Sequence, residues 1–228
     1  LLGFMAKKIF TNQIDEKSLV LLSLYFFQPI LIFWGLTKTP INFEFVISPF
    51  IYLVAVLISL FLLLLFNKQI FKERTDQSIY LATALVGNTG NLGIPLGIAL
   101  FGVESVPYTS IINIANTLFI YVFSVYFFAR EKFLLKDAIL AIFRIPGIWF
   151  AIFALIINYN GITIDKSISI ALEMGAYTSI IIQLVIFGIY LYNVKIKSMP
   201  WHLSLHISFV KHILLPVVGI IIIVYFTN

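Results

Sequence analysis

The sequence predicts an all-α, polytopic membrane protein, and three observations support that fold class. Hydrophobic residues make up 61% of the 228 positions and charged residues only 11%, whereas soluble domains carry about 25% charge. The mean hydropathy is +1.05. A membrane-spanning helix needs about 20 apolar residues, and seven runs approach or reach that length: 18–36, 45–66, 78–101, 105–129, 138–158, 168–192 and 203–226.

The placement of the basic residues orients these runs. The net charge is +5, but Lys and Arg lie between the runs and form no continuous basic face, so we expect no nucleic-acid partner. The positive-inside rule places in the cytoplasm the connections that hold Lys7, Lys8, Lys17, Lys68, Lys72, Arg74, Arg130, Lys132, Lys136, Lys195 and Lys197. The opposite connections hold only Lys38 and Lys166.

Two segments of the chain resemble each other weakly. Ile14-Asp15-Glu16-Lys17-Ser18-Leu19 precedes one apolar stretch and Ile164-Asp165-Lys166-Ser167-Ile168 precedes another. Each stretch contains a polar interruption, Gln28-Pro29 in the first and Tyr177-Thr178-Ser179 in the second. The two segments enter the membrane from opposite sides, which is typical of transporters with an inverted repeat.

The third run is interrupted by residues 85–97, which read Leu-Val-Gly-Asn-Thr-Gly-Asn-Leu-Gly-Ile-Pro-Leu-Gly. Glycines weaken a helix, and Pro95 lacks an N–H group and displaces the carbonyl of Asn91. Unwound backbone at bilayer depth needs protein or a water-lined cavity to satisfy it. The half-helix that begins near Pro95 would direct free N–H groups at the break, which suits an anion. We favour a binding site here over a proline kink held by Asn contacts between helices.

These residues resemble the auxin efflux carrier family of membrane transporters. The resemblance runs along nearly all of the chain and is carried by Gly87-Asn88-Thr89-Gly90-Asn91-Leu92-Gly93-Ile94-Pro95-Leu96, Ala99-Leu100-Phe101-Gly102, Gln28-Pro29-Ile30-Leu31-Ile32-Phe33 and Ile145-Pro146-Gly147-Ile148-Trp149. It implies an inverted-repeat transporter fold of ten helices, in which two interrupted helices cross beside the substrate. About seven of the ten are expected here. Residues 1–129 would form the first repeat, with helix one truncated, and residues 130–228 would form helices six to eight of the second repeat. The last two helices, including the second interrupted one, would come from a partner or from the rest of the gene.

The same resemblance implies the site residues. Asn88 matches the asparagine at the crossing of the family, and the expected substrate-binding set is Gln28, Pro29, Asn88, Thr89, Gly90, Asn91, Gly93 and Pro95. The expected substrate is a small organic anion such as a carboxylate. The family usually has a proline after the Thr in the second repeat, where this chain has Thr178-Ser179, so we expect a milder bend there.

Other polar residues within the runs leave two alternatives each. Glu173 either takes up a proton that couples transport or lies at the outer interface and faces water. Lys211 either serves transport, by pairing with a substrate carboxylate or lining an inward path, or extends its amine to the cytoplasmic headgroups. Asn113 and Asn116 share a helix face at i, i+3 and are expected to form hydrogen bonds between helices. With no Cys and no metal-ligand spacing among the His residues, we expect no metal and no other cofactor.

The expected function is secondary transport across the plasma or inner membrane rather than catalysis. The sequence contains no HExxH motif, no Gly-x-Ser-x-Gly motif and no paired intramembrane carboxylates. A channel would show repeated pore-lining rings, and a receptor would not need an unwound helix. A sodium-coupled organic-anion symporter of similar architecture is the closest alternative, although the interrupted segment supplies no carboxylate for the cation. The assembly to be tested is a homodimer.

Overall fold

The computed structural model describes residues 1–11, 13–38, 40–129 and 135–227, and at 129, 135, 137–139, 226 and 227 only the backbone. The described ranges contain helices and no strand. Five helical segments are long and apolar enough to span a membrane: Glu16–Thr37, Phe43–Ile70, Val103–Phe128, Lys166–Tyr192 and Trp201–Tyr225. Thr89–Phe101 and Pro146–Tyr159 are shorter apolar helices. The predicted all-α polytopic fold class is therefore confirmed. Arg130 and Lys132, which the sequence analysis assigned to a cytoplasmic connection, lie outside the described residues.

The α-helices are, in chain order, α1 Leu2–Ile9, α2 Glu16–Leu22, α3 Gln28–Thr37, α4 Phe43–Ile70, α5 Arg74–Thr83, α6 Ile94–Phe101, α7 Val106–Phe119, α8 Val125–Ala129, α9 Leu135–Phe143, α10 Pro146–Tyr159, α11 Lys166–Tyr192, α12 Trp201–Phe209 and α13 Leu215–Thr227. Single π-helical turns connect several of them: Ser23–Phe27, Thr89–Gly93, Ile120–Ser124 and Val210–Leu214. Short 3₁₀ turns occupy Val103–Ser105 and Ile196–Ser198.

The weakly repeated segments begin their helices in the same way. The Asp15 carboxylate accepts a hydrogen bond from the Lys17 N–H at 3.1 Å and caps α2. The Asp165 carboxylate accepts one from the Ser167 N–H at 2.8 Å and caps α11. Aspartate at this position satisfies an N–H group that the helix cannot pair. The similarity between the two segments therefore reflects the same aspartate N-cap in α2 and α11. The inverted repeat itself stays a prediction.

Prolines account for three of the π-turns, which end two residues before Pro29, Pro95 and Pro216. Proline has no N–H group, so an α-helix cannot keep its regular hydrogen bond at that position. The helix widens instead, and the N–H group of the residue before each proline donates a hydrogen bond to the carbonyl five residues earlier. Gln28, for example, donates to the carbonyl of Ser23. Such single π-turns are a common way to absorb an irregularity inside an α-helix.

The structure corrects two expectations about the later runs. Helix α11 continues without interruption through Tyr177-Thr178-Ser179, so the predicted polar interruption of this helix is wrong, while the milder bend stays a prediction. No proline lies there, and the Thr178 hydroxyl donates to its own helix at the Met174 carbonyl over 2.8 Å. The run 138–158, predicted as one span, is divided into α9 and α10. Ile145 precedes Pro146 and has extended backbone, φ −85° and ψ 117°, which ends the first helix.

One compact unit consists of Leu1–Asn42, Asn88–Ile111 and Phe143–Ile196. Within it, α3 packs against α10 and α11, and α1 packs against α11. Its buried core is Leu31, Trp34, Ile94, Val106, Ala176 and Ile180. Gly3 and Gly188 allow the backbones of α1 and α11 to approach closely, since a Cβ at Gly188 would lie 3.0 Å from the Phe4 nitrogen. In lipid, close packing of this kind holds helices together more than apolar burial does.

A second compact unit consists of Phe43–Gly87, Ile112–Ile142 and Lys197–Asn228. Within it, α4 packs against α13 and α5 packs against α8. The buried core is Val56, Leu60, Leu63, Phe71, Tyr80, Leu81, Ala84, Leu85, Phe119, Leu203 and Val210. Large apolar side chains on α4 remain exposed, among them Phe50 at 59% and Phe61 at 61%, as expected of a helix in contact with lipid. Each unit draws on both halves of the chain, so the predicted division at residue 129 concerns internal symmetry and stays a prediction.

Candidate functional site

The third run is broken as the sequence predicts. Helix α5 ends at Thr83, residues 84–88 are not helical, and a π-turn begins at Thr89. The Asn88 carbonyl accepts hydrogen bonds from the N–H groups of Leu92 and Gly93 at 3.2 and 2.9 Å. Asn88 therefore starts the second half of the interrupted helix, and the positive end of that helix dipole lies at this residue.

A cavity of about 340 Å³ lies beside this start, within the first compact unit. Its lining residues are Val20, Ser23, Leu24, Gln28, Asn88, Asn91, Ile186, Phe187 and Tyr190. Three amide side chains and two hydroxyl side chains thus meet a largely apolar wall from α11. The volume lies within the range of about 300–1,000 Å³ that is typical of small-molecule sites.

Each polar group has a defined structural origin. The π-turn Ser23–Phe27 carries Ser23 and places Gln28 at the start of α3. Asn88 precedes the π-turn Thr89–Gly93, and Asn91 lies inside it. Tyr190 comes from the last turn of α11. Two of the four π-turns in the described ranges therefore contribute to one cavity, in keeping with the frequent occurrence of such turns at functional sites.

The chemistry of the lining is neutral and rich in hydrogen-bond donors. Amide groups donate and accept, and hydroxyl groups can rotate to do either. The described lining includes no carboxylate and no cation. An anion in this cavity would be bound by neutral N–H and O–H donors together with the helix dipole at Asn88.

The structure brings together some of the predicted site residues and separates others. Gln28, Asn88 and Asn91 line the same cavity. Pro29 and Gly90 are buried, and Thr89, Gly93 and Pro95 are half-buried, but none of these is on its lining. Those residues shape the two π-turns without forming the wall. Sequence reasoning missed Ser23 and Tyr190, whose only signal is a polar or amphipathic side chain inside an apolar run.

The two ionisable candidates lie outside this cavity. Glu173 is half-buried on α11. The uninterrupted helix places it about 25 Å along the axis from Tyr190, at 1.5 Å per residue. Lys211 is half-buried in the π-turn Val210–Leu214 of the second unit. Among the described residues, no group of three His, Cys, Asp or Glu side chains is arranged to hold a metal ion.

The polypeptide just before the break is held by Asn116 from α7, inside the second unit. The Asn116 Nδ2 donates to the Gly87 carbonyl at 2.9 Å, and its Oδ1 accepts from the Gly87 N–H at 3.3 Å. The Tyr52 hydroxyl donates to the same Oδ1 at 2.8 Å. Asn116 is only 2% exposed. Its carboxamide thus replaces the helical partners that Gly87 lacks, and the expected hydrogen bonding between helices is confirmed for Asn116.

The end of α5 is satisfied in a similar way. The Ser124 hydroxyl, in the π-turn Ile120–Ser124, donates to the Ala82 carbonyl. Ala82 lies in the last turn of α5, where carbonyl groups have no partner further along the helix. Side chains from the neighbouring span therefore satisfy polar backbone on the N-terminal side of the break, as unwound backbone in a bilayer requires.

Successive apolar helices and an interrupted span with a polar cavity beside it define an integral, multi-pass membrane protein of the transporter class. A family model described as membrane transport protein matches residues 1–227. The chain belongs to this family, the auxin efflux carrier family of membrane transporters, as its sequence resemblance implied. The family is one of transporters and not of enzymes, and its members act on small molecules within the lipid bilayer. Searches of curated proteins and of solved structures gave no significant match.

Proposed function

We propose that the protein is a secondary transporter that moves a small organic anion, such as a carboxylate, across the plasma or inner membrane. Alternating access would take place around the interrupted helix. The observation that supports this proposal best is the cavity beside the break, where Gln28, Asn88 and Asn91 meet.

The composition of the cavity supports an anionic substrate. Its polar groups are amides and hydroxyls, which can all donate hydrogen bonds. The helix that starts after Asn88 adds its positive dipole end. A carboxylate would find donors and no competing negative charge on the described lining. The apolar side chains Ile186 and Phe187 would contact the hydrocarbon part of the molecule.

The same lining argues against sodium coupling at this place. A sodium ion would find amide and hydroxyl oxygens here, but no carboxylate on the described lining would balance its charge. We therefore favour uniport or proton coupling over a sodium-coupled symporter. Glu173 and Lys211 are the proposed coupling or pathway residues, both outside the cavity.

The test is uptake of labelled small carboxylates into proteoliposomes made with protein from the complete reading frame. Asn88→Ala removes one amide from the cavity, and Asn160→Ala is the matched control. Asn160 is an exposed amide after α10, whose side chain donates to the Ile156 carbonyl at 2.7 Å. A hydrogen bond to a charged group contributes about 1.5–3 kcal/mol, so we expect Asn88→Ala to lower kcat/KM about 10- to 100-fold.

Uptake should be saturable for the parent and unchanged by Asn160→Ala. Equal uptake by the parent and Asn88→Ala would contradict a substrate site at the interrupted helix. Uptake measured with and without a sodium gradient separates the two coupling alternatives, because a symporter would require the gradient.

A further inference from the structure

We propose that a second cavity binds a phosphate-bearing anion at the cytoplasmic end of α4. This cavity lies within the second compact unit, has a volume of about 560 Å³, and its lining includes Lys68, Arg74, Gln77, Ser78, Leu81 and Phe127. It shares no residue with the cavity beside Asn88. The inference goes beyond the proposed transport function and does not depend on it.

Most of the lining comes from one face of α5. Arg74, Gln77, Ser78 and Leu81 follow the spacing i, i+3, i+4 and i+7, which places them on the same side of the helix. Lys68 comes from the last turn of α4. The Gln77 Nε2 donates to the Phe71 carbonyl at 2.7 Å, which ties the start of α5 to the end of α4. Both cations therefore extend from a connection of defined geometry.

The two cations have no acidic partner within the described residues. The ion pair found in those ranges joins Lys7 to Glu16, in the other unit. Glu73 and Asp76 are neighbours of Arg74 in sequence but are not on the lining. Asp76 lies two residues from Arg74 on α5 and so does not share its face, and Glu73 is the extended residue before the helix. Neither carboxylate forms an ion pair with these cations in the described residues. A cavity with two cations and no described carboxylate on its wall is selective for anions.

The arrangement suits a phosphate group in particular. A guanidinium presents parallel N–H donors that match two phosphate oxygens, and a lysine adds a compact charge. The Ser78 hydroxyl can donate a further hydrogen bond. Leu81 and Phe127 give the cavity an apolar side, which fits a phosphate that is attached to hydrocarbon.

The position of Lys68 places this site at headgroup depth. Helix α4 has 28 residues and is about 42 Å long, whereas the hydrocarbon core is about 30 Å thick. The excess length, together with the polar residues Asn67, Lys68 and Gln69, places the last turn of α4 beyond the hydrocarbon. Connections rich in Lys and Arg lie in the cytoplasm, where the leaflet is anionic. An anionic phospholipid and a soluble organic phosphate both carry the required chemistry.

The test is a binding titration of the full-length protein in zwitterionic micelles, with phosphatidylglycerol and glycerol phosphate as separate probes and phosphatidylcholine as the blank. The variants are Lys68→Gln, Arg74→Gln and their combination. Lys72→Gln is the matched control, since Lys72 lies in the same connection but is not on the lining. Each lining cation would donate a charge-assisted hydrogen bond to the phosphate, so we expect the affinity to fall at least about tenfold for each single variant and further for the pair.

Lys72→Gln should change the affinity at most about fivefold, because it removes only a diffuse charge outside the cavity. Binding of phosphatidylglycerol alone would identify a lipid headgroup, and binding of glycerol phosphate would identify a soluble ligand. The proposal is overturned if neither probe binds the parent, or if the paired variant keeps the parental affinity. An equal loss in Lys72→Gln would also overturn it, since only diffuse charge would then matter. Unfolding midpoints measured without probe show whether every variant is folded.

Discussion

The contact between Asn116 and Gly87 allows a quantitative prediction for Asn116→Ala. This substitution removes the hydrogen bonds to the Gly87 N–H and carbonyl and the acceptor of the Tyr52 hydroxyl. A neutral hydrogen bond contributes about 1 kcal/mol net, and a buried group left without a partner costs about 1–3 kcal/mol. Gly87 is only half-buried, so part of that cost is avoided. We expect the free energy of unfolding to fall by about 2–4 kcal/mol.

The assay is unfolding of the purified protein in mixed micelles, followed by tryptophan fluorescence. Thr117→Val is the matched control from the next position of α7. The Thr117 hydroxyl donates to the Asn113 carbonyl of its own helix at 2.8 Å, so its removal should cost less than about 1 kcal/mol. Tyr52→Phe removes a single hydrogen bond and should cost about 1 kcal/mol.

The proposed role of Asn116 in holding the break also predicts an effect on transport. Gly87 is covalently joined to Asn88, so its release should misplace the Asn88 side chain and raise the KM for uptake. The reasoning would be refuted if Asn116→Ala were no less stable than Thr117→Val. A loss of stability with unchanged KM would limit Asn116 to a structural role.

Two further predictions concern helix packing and helix capping. Gly3→Ala should lower the free energy of unfolding by about 1–3 kcal/mol, because its Cβ would overlap the Val185 carbonyl. Gly219→Ala, whose Cβ would meet no atom within 4 Å, should be neutral or stabilising by up to about 1 kcal/mol in the same unfolding assay. The Ser18 hydroxyl and the Lys17 N–H lower the pKa of Asp15 below its usual 3.8, and the Ser167 N–H lowers the pKa of Asp165 in the same way. Because both pKa values are lowered in the folded state, this stability is complete above about pH 4 and is lost as the pH falls through the lowered values. Unfolding between pH 6 and pH 3 should therefore depend less on pH in Asp165→Asn than in the parent, since asparagine caps a helix without titrating.

The spans could be predicted from the sequence because length and composition decide whether a helix crosses a bilayer. The break near Asn88 could also be predicted, since several glycines and Pro95 all weaken the same turn. The division before Pro146 could not. A residue that precedes proline is either extended, like Ile145, or stays helical after a π-turn, like Gln28. Packing against neighbouring helices decides between the extended and the helical conformation, and this packing cannot be predicted from the local sequence.

The sequence predicted those residues of the candidate site that belong to local motifs, but not those that only tertiary packing brings there. Asn88 and Gln28 were found through local motifs, which the family resemblance connects to one place. Tyr190 was not found, because its approach to Ser23 depends on how α11 packs in the first unit. The spacing of Asn113 and Asn116 predicted a polar helix face. The sequence could not identify Gly87 as the hydrogen-bond partner of Asn116. The contact is made by the backbone N–H and carbonyl groups of Gly87, which almost every residue type carries.

The π-turns also have a consequence for how side chains are displayed. Each π-turn holds one more residue than the α-helical turn it replaces, and one residue corresponds to about 100° of rotation. Deletion of one residue from Thr89–Gly93 would therefore remove the extra residue and leave the faces of α6 nearly in place, whereas the same deletion inside the regular helix α6 would rotate the residues that follow by about 100°. A different set of side chains would then face the neighbouring helices. A π-turn can therefore absorb a single insertion or deletion that, inside a regular α-helix, would exchange one face for another.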